Sequence, residues 1–380
     1  MQINKISLKN WMNFSNISID IQTRLFIVGA NASGKSNLLD ALRFMRDIVK
    51  HGGGLQYAVS ARGGLSKIRC LSARTNPAVS IALEFIDDED NKWKYDLSIT
   101  REPTGSHKTI IEHEIITKNE TELLSRPVKE DIDDEERLSQ TYLEQINANK
   151  DFRDIVRYLE TIQYLHLVPQ LLKFPDAFSG QDLPDDPFGK GFLQKVAKTQ
   201  EKTRTSRLTQ IQKVLQKAVP QLENLIYTED AGHPHLEVTY KHWRARGAKQ
   251  MENQLSDGTL RLIGLLWMLL DGQGLLLLEE PELSLHSAIV ARLPGLMYSV
   301  QKSKKQIPRQ IILTTHSAEL LSDGGISLKE IVLLTPGNEG TVAEMASARE
   351  DIKALLAGGL TPGEAVMPTA APIIGSGLKL

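Results

Sequence analysis

Eight consecutive residues, Gly29-Ala30-Asn31-Ala32-Ser33-Gly34-Lys35-Ser36, have the types and spacing to bind phosphate. They fit G-x-x-x-x-G-K-[ST] and lie between an apolar run, Leu25 to Val28, and a helical stretch, Asn37 to Val49. A strand before and a helix after let backbone N–H groups and a helix N-terminus face an anion. Gly29 and Gly34 permit close approach and unusual backbone angles, Lys35 reaches the β- and γ-phosphates, and Ser36 offers a hydroxyl to Mg²⁺. The chemistry predicted is nucleotide binding.

Three later segments carry matching chemistry. Leu275 to Leu278 runs into Glu279-Glu280-Pro281-Glu282, a buried parallel-type strand ending in adjacent acids. Side chains alternate along a strand, so one of Glu279 and Glu280 can hold Mg²⁺ through water beside Ser36 while the other polarises an attacking water. Two solvated acids at an exposed strand end are the bland alternative, which the four leucines before them and the proline after argue against. Gln310 to Ser317 is a second apolar strand, and it brings His316 to the strand ends, where α/β sheets place their ligands. Leu255-Ser256-Asp257-Gly258-Thr259 opens the apolar helix Leu260 to Leu270 and is either a second anion site or an ordinary serine N-cap. Glu282-Leu283-Ser284-Leu285-His286 follows the acids, in the position of a loop that signals across a subunit interface.

The elements that must position these residues are legible in outline. Gln2 to Ile21 alternates polar and apolar residues, predicting two strands joined around Trp11-Met12-Asn13-Phe14. Trp11, Asn13 and Phe14 either border an adenine or pack at the strand turn. Period-two segments at Val79 to Ile86, Lys92 to Thr100 and Thr109 to Thr117 predict an antiparallel meander beside the core. From Val128 to Pro220 the chain reads as mainly helical, with Leu208, Ile211, Leu215, Ala218 and Leu222 as a seam. Lys195, Lys198, Lys202, Arg204, Arg207, Lys213 and Lys217 form a basic surface on the same stretch. A strand at His235 to Tyr240 is expected to return the chain to the core, and Pro368 to Leu380 reads as a flexible tail. The expected divisions are 1–127, 128–220, 221–336 and 337–380.

Bulk composition restricts the classes available. The 380 residues, 41% hydrophobic and 24% charged, can bury a large α/β core with an insertion. A formal net charge of -2 gives no global field for nucleic acid, so any DNA contact must be local. Lys241, Arg244, Arg246 and Lys249, with the basic helix face, are DNA candidates or simply solvated charge. The single cysteine, Cys70, rules out an internal disulfide, fits a reducing cytoplasm and is expected in a buried strand. Neither a secretion signal nor a membrane span is indicated.

Taken in succession, GANASGKSNLLDAL, LSDGTLRLIGLL, LLLLEEPELSLH and ILTTHSAELL resemble the ABC-type ATPase heads of the SMC and RecF group. That group includes the OLD-type and the retron- or Septu-associated ATPases of bacterial antiphage defence. The resemblance covers roughly Met1 to Arg126 and His235 to Pro336. It implies an α/β P-loop NTPase of ABC/SMC-head type with an antiparallel β-subdomain and a mainly helical insertion. It makes Gly29 to Ser36 the Walker A loop with Asn37 beside it, and Leu255 to Gly258 the signature, with Ser256 and Gly258 at the nucleotide. Glu279 becomes the Walker B metal-associated carboxylate, Glu280 the catalytic one and His316 the switch histidine. The cofactors implied are ATP and Mg²⁺, the metal held by Ser36 and Glu279.

Two departures stand out. LSDG replaces the LSGG of transporter heads, and Glu279 replaces the more frequent Asp. Gln163 and Gln170 both compete for the Q-loop role. In such heads two copies sandwich two ATPs, each site completed by Ser256 of the other subunit, so a homodimer or higher homo-oligomer is implied. The expected role is a cytoplasmic ATPase controlling a separate effector, a nuclease, in antiphage defence or DNA repair. Alternatives are a regulatory ATP-binding scaffold that restrains a toxin and, less favoured, the head of a membrane transporter.

Overall fold

A computed structural model describes residues 1–73, 77–102, 107–178, 183, 185–241, 248–302 and 309–370. The chain opens with a hairpin, β1 (Gln2–Trp11) and β2 (Phe14–Asp20), followed by β3 (Arg24–Gly29), the phosphate loop and a helix over Lys35–Val49. The meander comprises β4 (Val79–Ile86), β5 (Lys92–Arg101), β6 (Thr109–Lys118) and β7 (Thr121–Arg126). Next come β8 (Gln163–Leu165), β9 (Leu222–Asp230), β10 (His233–Tyr240) and β11 (Ala248–Met251). A helix over Asp257–Leu270 leads to β12 (Leu276–Glu279), β13 (Ile311–Thr315), β14 (Ile331–Gly337) and β15 (Gly340–Met345).

These strands build three sheets. The hairpin and meander form one antiparallel sheet in the order β2-β1-β4-β5-β6-β7. The central sheet runs β15-β14-β3-β13-β12-β8, parallel throughout except where β15 folds back on β14. β3, β12 and β13 at its centre are buried on both faces, as a parallel sheet requires, and the edge strand β15 is partly exposed. Leu25, Ile27, Leu277 and Ile312 pack toward the Lys35–Val49 helix and the antiparallel sheet. Phe26, Val28, Leu276, Leu278 and Leu313 pack toward the Asp257–Leu270 helix. That helix is buried all round from Leu260 to Leu270, which explains a sequence apolar on every face.

Several expectations are corrected. Gln163–Leu165, inside the stretch read as helical, is a strand of the central sheet, paired with Leu276–Leu278. Three residues carry no periodicity, and this strand exists because β12 offers it a partner edge. β10 joins β9 and β11 in a separate antiparallel sheet rather than the central one, although Leu236 and Val238 still pack on the signature-side core. The basic helix spans Glu201–Ala218 and stops before Pro220, with Leu208, Ile211, Val214 and Leu215 buried, so Leu222, read as part of its seam, instead begins β9. Cys70 is buried in an irregular segment whose backbone N–H donates to the Asn10 carbonyl at 2.8 Å. A helix over Pro362–Ala370 contains Pro368 and buries Ala365 and Val366, so the expected flexible tail does not begin at Pro368; residues 371–380 lie outside those described.

Candidate nucleotide site

The register of the central sheet assembles the site. Ile27, Thr314 and Glu279 align across β3, β13 and β12, and Val28 aligns with Thr315. The phosphate loop, the paired acids and His316 therefore leave the sheet at one carboxyl edge, where an open α/β sheet binds ligands.

Gly34 has φ 97° and caps the Lys35–Val49 helix; a Cβ there would lie 2.0 Å from the Asn13 amide. Only glycine fits that conformation and that contact. Asn13 braces the loop from behind, donating to the Ser33 carbonyl at 3.0 Å and Thr341 Oγ1 at 2.6 Å, while Asn37 Nδ2 donates to Asn13 Oδ1 at 2.7 Å. Trp11 and Phe14 are fully buried, Trp11 edge-on to Phe44, so they pack the strand turn and do not border an open ligand face. Asn31, Ala32 and Ser36 are exposed, Ala30 is half-buried, and Gly29 and Ser33 are buried beneath them.

Lys35 is 6% exposed and donates to the Gly29 and Ala30 carbonyls, each at 3.0 Å. Burial pulls its pKa down, against Glu280, Glu279 and Glu282, which push it back up. Ser36 Oγ donates to Glu279 Oε1, and the Tyr164 hydroxyl donates to Glu279 Oε2. Glu280 turns the other way through a left-handed φ of 44°, and its carboxylate lies 3.2 Å from His316 Nε2. The backbone around it is pinned: its N–H donates to Thr314 Oγ1 at 3.1 Å, and its carbonyl accepts from Arg261 Nη2 at 2.9 Å. Glu282 Oε1 accepts from Thr315 Oγ1 at 2.6 Å and from the His316 N–H at 3.1 Å, and burial raises its carboxyl pKa. Burial lowers the His316 imidazole, helped by Lys35 and opposed by Glu280.

The signature segment has its own set of contacts. Ser256 caps its helix, accepting from the Thr259 N–H at 3.1 Å, and Asp257 pairs with Lys173 at 2.5 Å and Gln170 at 3.3 Å. Gly258 sits against the Ser284 carbonyl, which a Cβ would meet at 2.6 Å, and His286 caps the short helix that follows. Among the described residues no hydrogen bond joins 255–259 to the phosphate loop. The structure thus brings Gly29 to Asn37, Glu279, Glu280 and His316 together, while Ser256 and Gly258 take their contacts from Thr259 and Ser284.

Neither Q-loop candidate lies beside the loop. Gln163 starts β8 at the far end of the sheet and accepts from Arg309 at 2.9 Å, whereas Gln170 serves the signature helix. Sequence reasoning missed Tyr164, because β8 gave no signal, and Arg261, hidden in an apolar helix. Thr314 and Thr315 were visible beside His316 but unassigned. Of the DNA candidates, Arg244 and Arg246 lie outside the described residues and Lys249 pairs with Glu237 at 2.8 Å. On the basic stretch, Lys195 and Arg207 bind Asp271, and Arg204 stacks on Tyr227. Lys198, Lys202, Lys213, Lys217 and Lys241 are exposed.

The loop amides, Lys35, Ser36 and Glu279 fit phosphates with Mg²⁺, which takes one or two carboxylates and otherwise substrate oxygens and water. Among the described residues no cluster of three His, Cys, Asp or Glu suits a metal held by protein alone. No described helix is long and apolar enough to cross a membrane.

The fold and this arrangement define a P-loop ATPase head of the ABC/SMC type. The chain belongs to the family described as "AAA domain, putative AbiEii toxin, Type IV TA system", matched over residues 25–322. Residues 3–45 also match "P-loop containing region of AAA domain". Two solved structures share the fold at 16% identity. The SMC head domain from Thermotoga maritima has a TM-score of 0.50, covering 91% of this chain and 99% of its own. An SMC head bound to the C-terminal winged-helix domain of ScpA has a TM-score of 0.53, covering 90% and 98%. No curated protein sequence matches the chain.

Proposed function

We propose that this chain is an ATPase that closes as a head-to-tail dimer around MgATP and reopens on hydrolysis, controlling a separate effector. The observation that supports the reading is that the loop, the acids and His316 are joined at one sheet edge, while the bonds of Ser256 and Asp257 run to Thr259, Lys173 and Gln170 and not to that loop. A second copy supplies the missing half. Lys35 and the loop amides bind phosphate oxygens, and Ser36 and Glu279 hold Mg²⁺, which neutralises phosphate charge. Glu280 orients and deprotonates the attacking water, with His316 beside it to contact the γ-phosphate. Glu282 and Thr315 hold the histidine's strand end against the acidic turn, so changes at the phosphate reach the 282–286 loop, which also touches Gly258.

The effector we favour is a nuclease acting in bacterial antiphage defence or DNA repair, with DNA contacted locally. The family description, which names a toxin and a toxin–antitoxin system, favours a second reading in which the closed dimer restrains a toxin. The decisive experiment is the solution mass of Glu280→Gln with and without MgATP. An ATP-dependent shift from monomer to dimer supports the sandwich; a mass indifferent to ATP, with Ser256→Arg retaining full ATPase activity, removes it.

A further inference from the structure

Glu279 stands where heads of this type more often carry aspartate, and its extra methylene must be controlled. A glutamate has one more rotatable bond than an aspartate, so at a strand end it samples more positions and loses more entropy when fixed. Here both carboxylate oxygens are engaged. Oε1 accepts from Ser36 and Oε2 accepts from Tyr164. We propose that Tyr164 is a positioning residue that makes a glutamate workable at this place, holding Glu279 so that the site takes up Mg²⁺.

The phenol is itself firmly placed. β8 pairs Tyr164 with Leu277, two residues before Glu279, so sheet register fixes its height along the strand. The Arg43 guanidinium lies 4.2 Å from the ring centroid, and Arg43 belongs to the helix that the phosphate loop starts. Tyr164 thus ties that helix to the acid from the side opposite Ser36. Ser36 is a proposed metal ligand, and its bond to Oε1 is the one metal binding replaces. The Tyr164 bond to Oε2 is the one that persists.

This inference rests on the assignment of Glu279 as the metal-associated acid. The test uses Tyr164→Phe, which deletes one hydroxyl and keeps the ring and the stacked arginine. Binding of a fluorescent ATP analogue is titrated against Mg²⁺ for the wild type, Tyr164→Phe, Glu279→Asp and the double variant. Tyr164→Phe is expected to raise the Mg²⁺ needed for half-saturation roughly tenfold, the loss of one hydrogen bond to a charged group, while binding in EDTA stays at the wild-type level. An aspartate is too short to use both donors, so the double variant is expected to be no worse than Glu279→Asp alone. An unchanged Mg²⁺ requirement in Tyr164→Phe, or independent additive losses in the double variant, overturns the inference. Lys35→Ala in parallel separates it from the reading beneath it. If Lys35→Ala binds nucleotide like the wild type, the nucleotide site falls and this inference with it. If Lys35→Ala loses binding while Tyr164→Phe is unaffected, only the role of Tyr164 falls.

Discussion

At the scale of single residues, the two acids on one strand end are separated by backbone conformation. The left-handed φ of Glu280 sends its carboxylate to His316, while Glu279 stays with Ser36. Glu280→Gln is therefore expected to keep MgATP binding and to lose at least about 100-fold in turnover, checked by steady-state phosphate release. His316 gives a pH signature. Its folded pKa lies below the ordinary 6.5, so as pH falls through 6.5 the unfolded chain takes up a proton that the folded chain refuses. Stability at this position is full above that value and declines below it. His316→Asn is expected to flatten this part of the acid-side decline, read as melting temperature from about pH 5 to 8. The residue types at 29–36, 279–280 and 316 were legible because phosphate chemistry restricts them. The partner of Glu279, Tyr164, was not, because an isolated tyrosine in a three-residue strand carries no pattern.

At the scale of elements, the antiparallel sheet is closed by ion pairing. Arg126 holds Asp131 through two bonds and Glu114 through a third, each at 2.9 Å, with all three side chains fully buried. Removing the arginine takes the ion-pair partner from buried Glu114 and leaves buried Asp131 with Arg137 alone at 3.2 Å, so Arg126→Met is expected to cost about 3–5 kcal/mol, measured by urea unfolding. Burial pushes the Asp131 carboxyl up, but Arg126, the Val128 N–H and Arg137 bring it down to about 2. Its contribution is present above the ordinary carboxylate pKa and is lost as pH falls toward 2. β1, β2, β4, β5 and β6 were legible from their period-two alternation, since one face is buried, whereas β7, exposed over most of its length, was not. Which sheet a strand joins was not: β10 alternates like its neighbours, yet pairs with β9 and β11 and not with the central sheet, a choice that alternation does not encode.

At the scale of the whole molecule, the proposed head-to-tail dimer makes a prediction about mixing. Lys35→Ala and Ser256→Arg are each expected to abolish hydrolysis alone. A one-to-one mixture forms heterodimers with one intact composite site, so it is expected to recover about a quarter of wild-type activity. No recovery at concentrations where the wild type is active counts against a shared site. The exposed Lys198, Lys202, Lys213 and Lys217 share the surface of the insertion helices, whereas Lys195, Arg204 and Arg207 are committed to Asp271 and Tyr227. Charge reversal at the exposed set is expected to weaken DNA binding and reduce its salt dependence; unchanged affinity at low salt removes this face as a DNA site.

The amino-acid sequence by itself determined the phosphate loop, the acids and the histidine, because each needs particular atoms at a particular junction of strand and helix. It also determined that the strands carrying them are buried on both faces and that the helix after Ser256 lies inside the core. Tertiary structure decided what those atoms meet. Alignment of β3, β12 and β13 brought residues far apart in the chain to one edge, and the Gly34 backbone made room for Asn13. β8 delivered Tyr164 to Glu279, and the signature helix took Ser256 as its own N-cap. Pairing register and packing are properties of the assembled sheet. Local spacing determines which residues can do chemistry, while long-range contacts determine which of them do it together.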